Sequence, residues 1–558
     1  MKSITNYKLL LILVVLLGFI LRFYRLGEVP VSLYWDEVAS AYNAYSIAMT
    51  GKDEYGIPHP FLFKSFVDYK TPGNIYLTSL VIKVFGLNEF STRFSSAFLG
   101  SLSILICFFL IKELLKNQRF KNKPINENMV AILASFLFAI SPWHIQFSRT
   151  GFEANVALFI ILLSIFLILK FINSQRPNFL YLSAILFGLS FYFYRSVFVF
   201  VPLFLVGLFF IYRQTFLSKK NIKHSVIASA IFFLVLLPFL PPALSPEGTL
   251  RQRQVNIFDN LNDKIYQAAV KQNQAGNTLL SKILYNRRIV YASAIISNYT
   301  GHFGPTFLFT VGDTNGRHDI IDMGLMYIWE APFLVLGLLF LLKLRKETRY
   351  VILLWFLVAP IPGTFSLPSP HALRSLTMLP IPQLLAAFGL TYSFYLLRKE
   401  WRKYFILGVS IIVAVFFLRY LYLYYQVTPK ATAHDWADGY KQLTQYVFAN
   451  EGNYDKVIVS GHWWQPYIFF LFYKQYSPKA YQESGSKKGF DKYVFGGTRW
   501  DMDGQELDHE DLQKLAGAKN ILVALSPVEY ELQKDNVVKL TEIKDHNNKV
   551  VFIMAKPR

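Results

Sequence analysis

Long apolar runs alternate with short polar connections from the N-terminus to about residue 425. Eleven of these runs are long enough to predict membrane-spanning helices, because about 20 apolar residues cross the hydrocarbon core of a bilayer. They lie at about 8–26, 94–115, 129–147, 152–172, 178–194, 196–213, 224–243, 326–344, 350–367, 375–397 and 402–425. The pattern predicts a polytopic α-helical membrane protein with about 11 transmembrane helices.

Three longer parts interrupt or follow these runs. A first outer loop (27–93) and a large, polar outer loop (245–325) belong to a predicted transmembrane domain, residues 1–428. Within the first loop, the apolar segment 75–86 is too short to span comfortably and is expected to lie along the membrane interface.

The tail, residues 429–558, has the composition of a soluble domain. Buried strands are predicted at "DKVIVSG" (455–461) and "KNILVAL" (519–525), and a final strand pair at "VVKLTEI" (537–543) and "KVVFIMAK" (549–556). Helices are predicted at 435–450 and at "EDLQKLAG" (510–517). These elements predict a small α/β domain.

The charge distribution predicts an orientation. The net charge is +21, but the basic residues form short clusters between apolar runs, which is typical of cytoplasmic loops and not of nucleic-acid binding. With an odd number of spans, every cluster falls on one side if the N-terminus is cytoplasmic and the C-terminal domain is extracytoplasmic. Cys107 is the one cysteine of the chain, so an intrachain disulfide is excluded.

The first outer loop contains the residues most suited to catalysis. Asp36 and Glu37 open a predicted helix that ends at Gly51, and Lys70 precedes a Thr-Pro turn. One interpretation is structural, since acidic residues in a first helical turn are favoured by capping and by the helix dipole. The other is chemical: a carboxylate beside a lysine can deprotonate an acceptor hydroxyl while the cation holds a phosphate leaving group.

Isolated cations at the outer ends of the predicted spans form a second group of candidates. Arg149, Arg195 and Arg374 are each the lone basic residue of a short connection, and His371 accompanies Arg374. Each arginine is expected either to reach the interface or to bind an anion, and the guanidinium fork suits phosphate oxygens.

Other polar residues are weaker candidates. Possible roles in acceptor contact or site support are predicted for Asp53, Glu54, His144 and Glu153. A divalent metal is possible at Asp36, Glu37, Glu54 and His59, although these residues have no ligand-spaced motif. The stretch "GDTNGRHD" (312–319), together with His302, is interpreted as a polar turn.

Four sequence features together resemble a known family: a short first span, "WDE" at 35–37, a lysine and proline near residue 70, and "SPWHIQFSRTGFEAN" (141–155). Over about residues 5–400 the chain resembles membrane glycosyltransferases related to the protein O-mannosyltransferases and the bacterial lipid A aminoarabinose transferase. The resemblance implies the GT-C architecture and a polyprenyl-phosphate-linked sugar donor. It implies that Asp36 is the catalytic base with Glu37 supporting it, and that Lys70 binds the donor phosphate.

The sequence therefore predicts a glycosyltransferase that moves a sugar to an acceptor hydroxyl on a protein, lipid or glycan at the outer membrane face, with inversion. No cofactor is certain. Rival interpretations are a transporter or flippase of lipid-linked glycans, a polysaccharide polymerase or ligase, and a non-catalytic scaffold. A transporter would usually show charges near mid-bilayer and paired repeats, and the sequence shows neither.

Overall fold

The computed structural model describes residues 7–120, 123–463, 465–496 and 520–558. Before the tail, its α-helices are Tyr7–Phe23, Trp35–Thr50, Pro72–Phe85, Glu89–Leu114, Glu127–Ala139, Pro142–Ser148, Glu153–Ser174, Pro177–Ser190, Val197–Ile211, Arg213–Phe216, Ile222–Leu236, Leu240–Leu244, Pro246–Gln254, Asn262–Gln274, Leu279–Leu284, Arg287–Gly301, Glu330–Leu341, Lys346–Val358, Ile361–Thr364, Ile381–Leu396, Lys399–Tyr422 and Thr428–Ala431. Helices of the tail are Tyr440–Asn450, Pro466–Tyr473, Pro478–Ser484 and Pro527–Gln533.

Each of the eleven predicted apolar runs contains an α-helix. Within the described ranges, three helical stretches are long and apolar enough to cross a membrane: Glu89–Leu114, Glu153–Ser174 and Lys399–Ala431. Others are shorter, such as Glu330–Leu341 with 12 residues, which at 1.5 Å per residue covers about 18 Å of a hydrocarbon core about 30 Å thick. The number of eleven spans therefore stays a prediction.

The third predicted run is not one straight helix. The sequence predicts a continuous span over 129–147, but Glu127–Ala139 and Pro142–Ser148 meet at a bend of 59°. Proline lacks the backbone N–H that a helix interior needs, and it disfavours the helical conformation of the residue before it. Pro142 thus ends the first helix and opens the second. Counted as one broken span, this pair gives a fourth membrane-crossing element among the described residues.

The chain divides into two compact units. The first, here called the helical unit, comprises residues 1–24, 96–148 and 153–421. The second, here called the loop–tail unit, comprises residues 25–95, 149–152 and 422–558. The first outer loop and the C-terminal tail thus belong to one body, although more than 300 residues separate them along the chain.

A shared apolar core holds the loop–tail unit together. Tyr42 and Ile75 of the loop and Leu443, Phe470 and Leu522 of the tail are buried in one cluster. The Tyr42 hydroxyl also donates to the carbonyl of Tyr476 at 3.1 Å. Burying large apolar side chains stabilises such a core by about 1.5–3 kcal/mol each, so the loop needs the tail to cover its apolar face.

The tail contains a six-stranded sheet. Its strands, in spatial order, are Gly489–Phe490, Tyr493–Phe495, Lys456–Val459, Ile521–Leu525, Val550–Pro557 and Val537–Lys544. Lys456–Val459 pairs in parallel with both of its neighbours, and the last two strands form the predicted antiparallel pair. The α/β character predicted from the sequence is confirmed for these elements, whereas the predicted helix 510–517 lies outside the described residues.

The large outer loop 245–325 is mostly helical. It contains Pro246–Gln254, Asn262–Gln274, Leu279–Leu284 and Arg287–Gly301, followed by one π-helical turn at Thr306–Thr310. In the first outer loop, Phe63–Ser65 and Asp68–Lys70 form a short antiparallel hairpin. The predicted interfacial segment 75–86 is the helix Pro72–Phe85, which is too short to cross a bilayer.

Candidate active site

The helix Trp35–Thr50, here called the loop helix, places Asp36 and Glu37 in its first turn. The Tyr34 backbone N–H donates to the Glu37 carboxylate at 3.0 Å, which satisfies a donor that the start of the helix leaves open. At the other end Gly51 has a φ of +72° and closes the helix as a left-handed C-cap. The predicted helix and its glycine end are both confirmed.

Asp36 faces the end of the hairpin. Its carboxylate lies 3.1 Å from the Lys70 ammonium, and its side chain keeps 33% of its surface exposed. Lys70 also lies 3.4 Å from the Asp68 carboxylate. Pro72 begins the next helix two residues after Lys70, so the hairpin and the helix start fix the backbone that carries the lysine. The structure thus brings together the carboxylate and the lysine that the sequence analysis paired.

Glu37 has a different environment from its neighbour. Its side chain is fully buried, and Arg93 donates to both carboxylate oxygens at 3.1 and 3.3 Å. The Gly151 backbone N–H donates to the same carboxylate at 2.7 Å. With Tyr34, four donors thus occupy the Glu37 oxygens. This carboxylate is an anchor for the loop backbone.

Arg93 extends the anchor to the preceding segment. Beyond Glu37, its guanidinium donates to the carbonyls of Ser32 at 2.5 Å and Pro30 at 2.9 Å. The Trp436 ring lies 5.7 Å from the same guanidinium. The sequence interpretation did not include Arg93, which stands just before the predicted span 94–115. The available signal was the position of Arg93 beside that apolar run, because a cation that is buried there requires an anion as its partner.

Arg149 and Gly151 lie in the segment "RTGF" (149–152), which belongs to the same unit as Glu37 and Arg93. Arg149 is buried and donates to the carbonyl of Val29 at 2.8 Å, and its guanidinium lies 5.5 Å from the rings of Tyr424 and Tyr425. A Cβ on Gly151 would come within 3.2 Å of the Glu37 carboxylate. The segment therefore needs glycine at this position because Glu37 approaches the backbone closely.

Asp53 and Glu54 lie beyond the other end of the loop helix. Sixteen residues at 1.5 Å each separate the two ends by about 24 Å. Asp53 accepts from the backbone N–H groups of Tyr55 and Ile57 at 2.9 and 2.8 Å. Glu54 is buried beside Asn43, and burial raises the pKa of its carboxyl to about 7. The structure does not bring this acidic pair together with Asp36.

The remaining sequence-predicted residues belong to the helical unit. The Arg22 guanidinium donates to His144 Nδ1 at 2.7 Å, and the His144 ring stacks on Phe138. Glu153 is the first residue of the helix Glu153–Ser174. His144 is thus part of a buried contact between the helices Tyr7–Phe23 and Pro142–Ser148.

Arg195 and Arg374 lie in neighbouring parts of the helical unit. Arg195 donates to the carbonyl of Gly248, within the helix Pro246–Gln254 that also carries Arg251. Arg374 donates to the carbonyl of Leu367 at 3.0 Å. Burial lowers the pKa of Arg374, and the positive charge of Arg251 lowers it further. Cations that influence one another in this way favour an anionic ligand.

His371 lies with two residues that the sequence interpretation assigned to a polar turn. Its Nδ1 is 3.5 Å from the Asp313 carboxylate, and His318 Nδ1 is 3.4 Å from the same oxygen. All three residues are buried. The interpretation of 312–319 as a polar turn is therefore incomplete. A "D-x4-H" spacing was the available signal, but the third member lies 53 residues further along the chain.

The comparisons with known proteins agree with this architecture. Residues 69–241 match the family model described as dolichyl-phosphate-mannose-protein mannosyltransferase. The fold is similar to that of the ArnT protein of Cupriavidus metallidurans in the apo state, with a TM-score of 0.54, 12% identity and coverage of 100% of this chain and 98% of that one. The undecaprenyl phosphate-bound form of ArnT gives a TM-score of 0.51 at 12% identity, covering 99% of this chain and 98% of that one.

The archaeal oligosaccharyltransferase AglB from Archaeoglobus fulgidus, in complex with an inhibitory peptide and a dolichol-phosphate, gives a TM-score of 0.52 at 14% identity. That match covers 98% of this chain and 74% of AglB. No match was found among curated proteins. The resemblance predicted from the sequence is confirmed: the chain has the fold of the membrane-embedded GT-C glycosyltransferases and matches the protein O-mannosyltransferase family model over residues 69–241.

Proposed function

We propose that the protein transfers a sugar from a polyprenyl-phosphate donor to an acceptor hydroxyl at the outer face of the membrane, with Asp36 as general base. The observation that carries this proposal is the contact between a partly exposed Asp36 carboxylate and the Lys70 ammonium at 3.1 Å. A base must reach the proton that it removes, and a cation beside it can stabilise the charge that develops on a phosphate leaving group.

The difference between the adjacent carboxylates supports the choice of Asp36. Four donors occupy the Glu37 oxygens, and its side chain is fully buried. An acceptor hydroxyl would have to displace one of those donors to reach Glu37. Asp36 offers exposed carboxylate surface instead. Glu37 then supports the site by holding the start of the loop helix.

The proposed reaction is a single displacement. Asp36 accepts the proton of the acceptor hydroxyl as its oxygen forms a bond to the anomeric carbon. The bond from that carbon to the phosphate oxygen breaks, and polyprenyl phosphate leaves with the electron pair. Attack opposite to the leaving group inverts the anomeric configuration. Binding both reactants in line supplies much of the rate enhancement of such a transfer.

The leaving phosphate requires positive charge. Lys70 faces two carboxylates, Asp36 and Asp68, so its own charge is already offset. Arg149, Arg195 and Arg374 stay proposed phosphate ligands, and we add Arg251 because it lies on the helix Pro246–Gln254 that Arg195 contacts. Arg195, Arg251 and Arg374 belong to the helical unit. For His371 we favour another role, given below.

The shared core of the loop–tail unit supports the proposed topology. The first outer loop and the tail pack into one apolar cluster, so both must lie on the same side of the membrane. Together with the cytoplasmic pattern of the basic clusters, this supports an extracytoplasmic tail and a cytoplasmic N-terminus. Donor, base and tail then share the outer face, where the tail can contact an acceptor protein, lipid or glycan.

The test is to incubate the detergent-purified protein with a panel of polyprenyl-phosphate sugars and to follow the release of polyprenyl phosphate. We expect release from one class of donor, increased by the right acceptor. A transporter or flippase would move the donor in proteoliposomes without breaking the sugar–phosphate bond. That outcome, or no release from any donor despite binding of polyprenyl phosphate, would overturn the proposal.

A further inference from the structure

Two segments of the helical unit meet at a buried cluster of potential metal ligands. Asp313 and His318 come from the segment that follows the π-helical turn Thr306–Thr310, and His371 precedes the short helix Leu376–Met378. One ligand atom from each of the three residues lies within 4.8 Å of the other two. The cluster is distinct from the proposed base and its lysine, which belong to the loop–tail unit.

Two of the three separations match the spacing of ligand atoms in a tetrahedral metal centre. Zn²⁺ binds imidazole nitrogen and carboxylate oxygen at about 2.0–2.2 Å, which places neighbouring ligand atoms of a tetrahedron about 3.3 Å apart. The nitrogens of His318 and His371 lie 3.4 and 3.5 Å from the same Asp313 oxygen. These distances are long for hydrogen bonds, whose N–O separations are about 2.7–3.2 Å. They suit three atoms arranged around a cation.

His371 provides an independent sign of a missing ligand. Its exposed surface is 5%, and its Nδ1 has no hydrogen-bond partner among the described residues. A buried polar atom without a partner is destabilising, because it has lost its hydrogen bonds to water. A metal ion coordinated at this nitrogen would remove that destabilisation.

Hydrogen bonds from neighbouring groups hold the proposed ligand residues in place. The Ala372 backbone N–H donates to the Asp313 carboxylate at 2.7 Å, and the Asn315 N–H donates to it at 3.0 Å. The His371 backbone N–H donates to His302 Nε2 at 3.2 Å, while His302 Nδ1 lies 2.8 Å from the Asn298 carbonyl. Such contacts fix the orientation of ligating side chains in metal sites.

We propose that Asp313, His318 and His371 form a Zn²⁺ site that joins the large outer loop to the segment 366–380. Two imidazoles and one carboxylate are a ligand set for zinc, whereas Mg²⁺ and Ca²⁺ prefer oxygen ligands. Three protein ligands leave the fourth position for a water molecule or a substrate oxygen. The ion also holds the backbone of Arg374, three residues after His371. This inference goes beyond the proposed function.

The first experiment measures metal content directly. The full-length protein is purified in detergent, treated with EDTA, reconstituted with Zn²⁺ and analysed by mass spectrometry for metal. We expect about one Zn²⁺ per chain in the wild type and its loss in D313N and H371A. The matched controls are D322N, which changes an exposed carboxylate of the same segment, and H434N, which changes an exposed histidine. Both should retain the ion.

A second measurement needs no variant and covers the case in which D313N or H371A fails to fold. The EDTA-treated wild type is titrated with Co²⁺, and the visible absorption of a tetrahedral nitrogen–oxygen site is recorded. We expect saturation at about one equivalent and displacement by Zn²⁺. Absence of both the Co²⁺ spectrum and bound Zn²⁺ in the wild type would overturn the proposal, as would equal metal content in folded D313N, H371A and wild type.

Discussion

The loop helix has one acidic pair in its first turn and another just beyond its C-terminal end. The two pairs differ in exposure and in the groups that they contact. At the start, Asp36 is partly exposed beside Lys70, and Glu37 is fully buried against Arg93. Beyond the other end, Asp53 and Glu54 are both buried, and Asp53 accepts backbone N–H groups. The four residues are similar in sequence terms, but their surroundings differ: Asp36 contacts a cation and keeps exposed surface, four donors bind Glu37, and Asp53 and Glu54 are buried in a turn.

Under the proposed function, exposure and partner type separate the catalytic carboxylate from the structural ones. A general base must be accessible to the substrate, and a nearby cation must stabilise the charge that develops during the reaction. A carboxylate that anchors the backbone needs hydrogen-bond donors at both of its oxygens. Glu54 is a third case, because burial raises the pKa of its carboxyl to about 7. The following substitutions test the comparison, from the largest expected effect to the smallest.

The largest effect is expected for D36N. Loss of a general base typically reduces transfer by about 10²- to 10⁴-fold, measured as release of polyprenyl phosphate by the purified protein. The matched control is D68N, which removes the other carboxylate beside Lys70. We expect a small change in D68N. Equal losses in both variants would mean that Asp36 acts on the lysine and not on the acceptor.

E37Q should lower the stability of the folded protein and should not act selectively on the rate of sugar transfer. Removing one partner of a buried ion pair typically costs about 3–5 kcal/mol, because Arg93 then keeps an uncompensated charge. We expect a lower Tm and reduced yield. The control is E28Q, which breaks the exposed pair Arg25–Glu28 of the same loop and should cost less than about 1 kcal/mol. An E37Q protein as stable as E28Q would contradict the role of the anchor.

K70M should weaken catalysis less than D36N does. A hydrogen bond to a charged group contributes about 1.5–3 kcal/mol, which corresponds to a loss of about 10- to 100-fold in kcat/KM. K70R, which keeps the charge, should recover part of the activity. An unchanged kcat/KM for the donor in K70M would remove Lys70 from the phosphate site.

The smallest effect is expected for E54Q, and it depends on pH. Because burial raises the folded-state pKa of Glu54 to about 7, the unfolded chain ionises first as the pH rises. The stability contribution of Glu54 is therefore full below about pH 4.5 and declines as the pH rises through 7. Glutamine does not titrate, so E54Q should have a higher Tm than the wild type at pH 8 and a similar Tm at pH 5. A constant difference across this range would contradict the assigned burial.

Local features of the site were predictable from the sequence. The apolar periodicity and Gly51 define the loop helix, and the alternation of the tail defines strands such as Lys456–Val459. The residues of the first outer loop suggested a pairing of Asp36 with Lys70, and the family resemblance implied a base at Asp36 and a phosphate ligand at Lys70. Each of these signals lies within a short window, where propensity, capping and spacing act directly.

Long-range partners were not predictable. Glu37 and Arg93 are 56 positions apart, and Tyr42 and Tyr476 are 434 apart. No local pattern links such residues, because the pairing depends on which apolar faces cover one another. For the same reason no local pattern connects Asp313 and His318 with His371. Pro142 is a local signal for the bend. It lies within a long apolar run, however, and that run by itself predicts one continuous span.

The most direct test of the central claim separates binding from chemistry in D36N. Binding of polyprenyl phosphate and single-turnover sugar transfer are measured on the same detergent-purified preparation. If Asp36 is the base, D36N binds polyprenyl phosphate with nearly wild-type affinity, while transfer falls by at least about 100-fold. Transfer at the wild-type rate, or a loss explained entirely by weaker binding, would contradict the account.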